Sequence, residues 1–344
     1  MAIFLNGTAN LIIIYDYGMD TIINHISKEY NISNAKILKK LGGFSSDNYL
    51  VSLSKKKYVL KIVKNFDREK VNKLAELYDF LYGKDSYLSL PIKNFRGNFY
   101  SVVDESSIFL FNFVDGFILH EQNFNIRNYN SVAKHLKKFC QLNNGENNIG
   151  LINSWDQIQT IDEITARANT FLSNNKCLDP TVINSIREKI EFLEKNIDLI
   201  LAKNFLKDKK YLVHGDFHNE NILFTWSNKT YFLDFEETHL GHYVEDVVNF
   251  MFFACCNGGF EVNNLKRSGL FLREISKYLY LDKDLVRIGV IGHLYKMCSS
   301  FFLENKFFET KDKLFSTLLE RDLKKIIYFR SNFNDFINHI MEYV

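Results

Sequence analysis

The stretch His214-Gly215-Asp216-Phe217-His218-Asn219-Glu220-Asn221 constrains this chain more than any other. Apolar, strand-like runs flank it, Tyr211-Leu212-Val213 before and Ile222–Thr225 after, so a polar loop is held between two strand ends. A further run, Thr230–Leu233, ends at Asp234, thirteen residues past Asn221. Two carboxylates and an amide are thus delivered from the ends of short strands. That pattern predicts a folded protein with one convergent polar site.

The bulk numbers fit that expectation. With 344 residues, 46% hydrophobic and 24% charged, the chain can bury the cores of two or three domains or of one bilobal unit. A net charge of +2 offers no basic face for nucleic acid. The apolar stretch Leu11–Tyr15 is far too short to span a bilayer and no basic segment precedes it, so the reading is a soluble, cytoplasmic protein without a membrane partner. Cys140, Cys177, Cys255, Cys256 and Cys298 show no CxxC spacing and read as thiols in a reducing compartment.

Periodicity divides the chain into an early β-rich part and a later helical part. Residues 19–30 carry Ile22, Ile23, Ile26 and Tyr30 at helical spacing. A strand–turn–strand pattern follows through Leu41-Gly42-Gly43 and Tyr49–Leu53, then a charged turn at Lys55–Lys57, then the strand Tyr58–Val63. Residues 67–82 return to helical spacing, and Phe99–Val103 and Ile108–Val114 read as strands. Beyond Gly116, residues 127–141 and 181–202 read as amphipathic helices, the second with Pro180 in its first turn after Asp179. From about 244 the chain is predominantly helical, and no repeat or low-complexity linker is present.

The polar residues suit phosphoryl transfer. Asp216 and Asn221 have the spacing of the H-x-D-x-x-x-x-N loop, in which the aspartate meets the acceptor hydroxyl and the asparagine turns to a metal ion. Mg²⁺ is a hard cation that prefers oxygen ligands, which the Asp234 carboxylate and the Asn221 amide provide. Such chemistry needs positioning and charge neutralisation more than covalent help. Upstream, Gly42 and Gly43 would let backbone approach phosphate oxygens, and Lys61, a lysine in the apolar strand Val59-Leu60-Lys61-Ile62-Val63, would grip them.

Together these pieces resemble the aminoglycoside phosphotransferase and choline kinase group, within the protein-kinase-like fold. The resemblance runs over roughly residues 36–255. It is carried by Gly42-Gly43-Phe44-Ser45, Tyr58–Lys61, Pro91, Val114-Asp115-Gly116, His214–Asn221, Leu233-Asp234-Phe235-Glu236, and Asp246 in Val244-Glu245-Asp246-Val247-Val248. Gly-Asp in place of Arg-Asp in the loop, Asp-Phe-Glu in place of Asp-Phe-Gly, and the lack of Ala-Pro-Glu set the chain apart from protein kinases.

The resemblance implies an α+β, bilobal fold, with a nucleotide-binding N-lobe over 1–112 and a catalytic, acceptor-binding C-lobe over 113–344. It implies Asp216 as catalytic base, and Asn221 and Asp234 as Mg²⁺ ligands. Lys61 would be the phosphate lysine, with Glu76 rather than Glu69 as its partner on the 67–82 helix. Gly42, Gly43 and Ser45 would lie at the phosphates, Phe111 and Phe113 at the purine, and His214 and Asp246 would support the loop. The donor would be ATP or GTP. The acceptor would be a small hydroxyl compound, with aminoglycosides, choline or ethanolamine, homoserine and sugars as candidates. Glu236 and Glu237 read either as a solvated turn or as a face toward a cationic acceptor. The competing expectation is a non-catalytic nucleotide-binding protein or scaffold that keeps the fold.

Overall fold

The computed structural model describes residues 17–42, 46–64, 67–120, 123–143, 159–175, 179–196, 206, 211–256 and 259–344. Contacts divide the chain into two units. One comprises Met1–Leu119, Glu146–Leu151 and Asn219–Glu237; the other comprises His120–Gly145, Ile152–His218 and Thr238–Val344.

The first unit is built on an antiparallel five-stranded sheet. Its strands are β1 (Lys36–Gly42), β2 (Asp47–Leu53), β3 (Lys56–Lys64), β4 (Tyr100–Val103) and β5 (Ser106–Asn112), in the order β1-β2-β3-β5-β4. The β2–β3 hairpin turns on Ser54 and Lys55, both at positive φ, one residue earlier than the charged run suggests. Side chains alternate along β3. Leu60 and Ile62 pack with Val51, Leu53, Ile108, Leu110 and Ile26, so α1 (Tyr17–Glu29) covers that face. Lys61 therefore points to the opposite face, where α2 (Arg68–Leu81) sets Tyr78 against Phe99 and Phe109.

A three-stranded sheet completes this unit: β6 (Gly116–Phe117), β8 (Ile222–Thr225) and β9 (Thr230–Phe232), in the order β6-β8-β9. Phe232 exchanges backbone hydrogen bonds with Tyr87 and Ser89. These bonds tie the late segment Asn219–Glu237 to the early chain.

The second unit is helical. It holds α3 (Ile126–Cys140), α4 (Ile161–Asn174), α5 (Pro180–Asn196), α6 (Val244–Phe250), α7 (Val262–Ser276), α8 (Lys283–Ser299), α9 (Phe302–Thr310) and α10 (Lys313–Met341). Pro180 opens α5, and Asp179 accepts the Thr181 N–H; residues 197–202 of the expected helix lie outside the described residues. A two-stranded sheet of β7 (Tyr211–Val213) and β10 (His239–Gly241) also belongs to this unit. From the end of α6 the chain continues as a π-helical turn, Met251–Cys256. Phe250, Phe271, Phe124 and Tyr129 form its aromatic core. None of the described helices is long and apolar enough to cross a membrane.

Candidate active site

In the first unit the polar cluster centres on Lys61. Its side chain is 3% exposed, and its Nζ lies 2.6 Å from Glu236 Oε1 and 3.0 Å from Asp234 Oδ1. Burial works against the ammonium, but the two carboxylates outweigh it and raise the lysine above its ordinary value. Burial likewise opposes the Asp234 carboxylate; Lys61 is the strongest charge reversing it, and the carboxyl sits well below the usual range.

The expected partner, Glu76, is corrected by this geometry. The buried face of α2 is Val71, Leu74, Leu77, Tyr78 and Leu81, and Glu76 is exposed. Two residues are about 200° of helix, so a chain that turns Tyr78 inward turns Glu76 out. The Tyr78 hydroxyl is pushed far above its ordinary value by burial and by Glu236 and Asp234, which marks it as the α2 side chain beside the cluster. Glu69 pairs with Lys73 on the helix surface. The real partner, Glu236, stands two residues after Asp234; the signal lay in Asp-Phe-Glu itself.

Asp234 follows β9 and has φ of 61°. The left-handed region costs a non-glycine residue about 1–3 kcal/mol and is tolerated best by Asn and Asp. Such strain persists where the surroundings hold a side chain to a task. Asn221 is fully buried in the turn Asn219–Asn221, and its carbonyl accepts the Leu233 N–H at 2.9 Å. That bond joins the backbone carrying Asn221 to the backbone that delivers Asp234.

Gly42 ends β1 at φ 93°, and its carbonyl accepts from Asn48 Nδ2 at 2.8 Å. Gly43 and Ser45 lie outside the described residues. Phe111 is in register with Val59 and bridges Pro91. The Phe113 N–H donates to the Lys57 carbonyl at 3.4 Å.

In the second unit the backbone of the loop is held by Asp246. Its carboxylate accepts the His214 N–H at 2.7 Å and the Gly215 N–H at 3.0 Å. Burial pushes this carboxyl up to about 7, against the pull of those two donors. Gly215 has φ of 82°, a turn that a side chain would oppose. His214 is fully buried between the rings of Phe139 and Phe217. Asn249 Nδ2 holds the Phe217 carbonyl at 3.3 Å. So supported, the Asp216 side chain remains 47% exposed, with His218 Nε2 3.3 Å from its Oδ2. Asn249 is a support residue that the sequence reading did not single out.

The donor set fits a hard divalent cation. The described residues contain no group of three His, Cys, Asp or Glu side chains that could cage a metal. Mg²⁺ shared with phosphate oxygens needs only one or two protein oxygens, and the Asp234 carboxylate and the Asn221 amide are donors of that kind.

A family model described as the phosphotransferase enzyme family matches residues 37–268. No curated protein sequence matches the chain. Among solved structures, a spectinomycin phosphotransferase in complex with ADP and spectinomycin aligns at TM-score 0.55 and 16% identity, over 94% of this chain and 98% of that one. An amicoumacin kinase in complex with AMP-PNP and Ca²⁺ aligns at 0.62 and 13%, over 91% and 93%. Choline kinase from Cryptosporidium parvum aligns at 0.55 and 13%, over 94% and 95%. At these identities the likeness establishes a kinase-like fold.

Proposed function

Because the chain belongs to the phosphotransferase enzyme family, we propose that it transfers the γ-phosphoryl group of ATP or GTP to a hydroxyl of a small molecule. The observation that carries this reading is the buried Lys61–Asp234–Glu236 cluster, together with a loop that presents Asp216 on a backbone fixed by Asp246. A scaffold without catalysis would have no use for an exposed carboxylate on so constrained a loop.

In this reading Asp216 orients the acceptor hydroxyl. The acceptor oxygen bonds to the γ-phosphorus as the bond from that phosphorus to the β,γ-bridging oxygen breaks. ADP leaves with the electron pair, and Asp216 takes the proton late. Lys61 would neutralise the α- and β-phosphates, while Gly42, with Gly43 and Ser45 beside it, would lie along them. Phe111 and Phe113 would border the purine. Asp234 and Asn221 would hold Mg²⁺, which supplies charge neutralisation at the β- and γ-oxygens. His214 has a structural role, sealing the loop into the aromatic core. The reading places the protein in the cytoplasm; four of its cysteines are buried free thiols.

The test is ADP release with Mg·ATP and a panel of hydroxyl compounds. Transfer should fall at least about 100-fold in Asp216→Ala while far-UV circular dichroism is unchanged. Equal turnover by Asp216→Ala and wild type would end the proposal.

A further inference from the structure

Asparagine is a poor strand former, yet Asn48 stands second in β2 and is only 2% exposed. A buried amide is costly unless its polar atoms are bonded. The donor half meets that demand. Asn48 Nδ2 donates to the Gly42 carbonyl at 2.8 Å and to Ser46 Oγ at 3.3 Å. The acceptor half does not. Asn48 Oδ1 is buried and has no hydrogen-bond partner among the described residues.

The ends of the β1–β2 connection are fixed from both faces of the sheet. On one face the Asn48 amide ties Gly42, which leaves β1 at φ 93°, to Ser46. On the other face Asp47 accepts from Lys40 Nζ at 2.7 Å and from Lys64 Nζ at 2.9 Å, so one carboxylate joins β1, β2 and β3. Successive strand residues point to opposite faces, which is why two neighbours in sequence divide this work.

Asn48 is also the direct cross-strand neighbour of Lys61. Residues opposite one another in an antiparallel pair share a face, with Cβ atoms about 4.5–5.5 Å apart. The Lys61 ammonium is engaged by Glu236 and Asp234. Gripping phosphates takes it off at least one of these carboxylates, and an ammonium is all donor, so each N–H it frees needs a new acceptor. A neutral amide oxygen can accept one without cancelling the charge that the phosphates need. A carboxylate at residue 48 would hold the lysine back. A role in strand pairing alone explains the Nδ2 bonds and gives the buried Oδ1 nothing to do.

We propose that Asn48 is a positioning residue for the phosphate chain of the nucleotide: its Nδ2 sets the mouth of the glycine turn, and its Oδ1 receives the Lys61 ammonium as that lysine turns from Glu236 to the phosphates. The proposal rests on the reading that Lys61 meets the nucleotide, and it adds the residue that lets the lysine change partners.

The test titrates the full chain with Mg·ATP, Mg·ADP and adenosine by calorimetry, and follows ADP release with the panel of hydroxyl compounds. Asn48→Leu keeps the volume and removes both halves of the amide. It should raise the Kd of Mg·ATP and Mg·ADP, and the KM for Mg·ATP, at least about tenfold, while adenosine binding and kcat change less than about threefold. Should Asn48→Leu fail to fold, Asn48→Asp gives the same readout, since it loses the donor to Gly42 and offers Lys61 a competing carboxylate. Equal losses for adenosine and Mg·ATP, or an unchanged Kd of Mg·ATP, overturn the proposal. Wild type that binds Mg·ATP and releases no ADP with any hydroxyl compound overturns phosphoryl transfer, and the binding comparison still decides Asn48. Wild type that binds no nucleotide overturns both.

Discussion

Removing the charge of Lys61 while keeping its bulk, as in Lys61→Met, should destabilise the protein by about 3–5 kcal/mol. The figure follows from the surroundings of the ammonium. Two carboxylates lie within 3.0 Å of a side chain that is 3% exposed, and both are themselves under one fifth exposed. At such distances and an effective dielectric of about 20, each attraction is roughly 6 kcal/mol before desolvation is subtracted. Methionine leaves Asp234 and Glu236 facing one another without that ammonium. Urea unfolding followed by circular dichroism measures the deficit, and its pH dependence tests the cause. In the native protein the Asp234 carboxyl lies below its unfolded value of about 3.9. Its stabilisation is therefore present above about pH 4 and is lost as pH falls through the native value. Without Lys61, burial pushes the same carboxyl up, so the variant takes up a proton in mild acid and the deficit should shrink from pH 8 to pH 5. A deficit below about 1 kcal/mol at pH 8, or one equally large at pH 5, would refute the reasoning.

Two further outcomes follow from the same contacts. Asp246 has its native carboxyl raised to about 7 by burial, so the folded state holds a proton that the unfolded chain has lost; stability should fall as pH rises from about 4 to about 7, and Asp246→Asn should flatten that decline in urea titrations at stepped pH. Asn221→Ala removes one proposed metal oxygen and should raise the Mg²⁺ concentration needed for half-maximal ADP release at least severalfold, with Asp216 untouched; an unchanged Mg²⁺ requirement would remove Asn221 from the metal.

What the sequence disclosed and what it concealed differ in range. The loop His214–Asn221, the strand leading to Asp234 and most elements of the first unit are local patterns, readable because strand alternation, glycine turns and helical spacing act over a few residues. The alternation of β3 turns Lys61 away from Leu60 and Ile62. Its partner was not legible. Lys61 and Asp234 are 173 residues apart, and no periodicity says which acidic side chain crosses that gap. The expectation of Glu76 placed the acid on a neighbouring helix, where the buried face is settled by Tyr78 against Phe99 and Phe109.

In the proposed reading, the Lys61 cluster also bears on how the nucleotide would be taken. One ammonium stands against two carboxylates. A triphosphate carrying Mg²⁺ would bring the charge that Asp234 lacks once Lys61 turns to the phosphates. The carboxylates that keep a buried lysine ionised before binding are then the groups left to face the metal after it. In the proposed reading this exchange would give the left-handed backbone of Asp234 a use. Its carboxylate would reach the lysine from the end of β9 and remain turned the same way when its partner became a cation of twice the charge. A lysine paired to a helix glutamate would leave Asp234 idle between the two states, whereas this arrangement uses the same carboxylate in both.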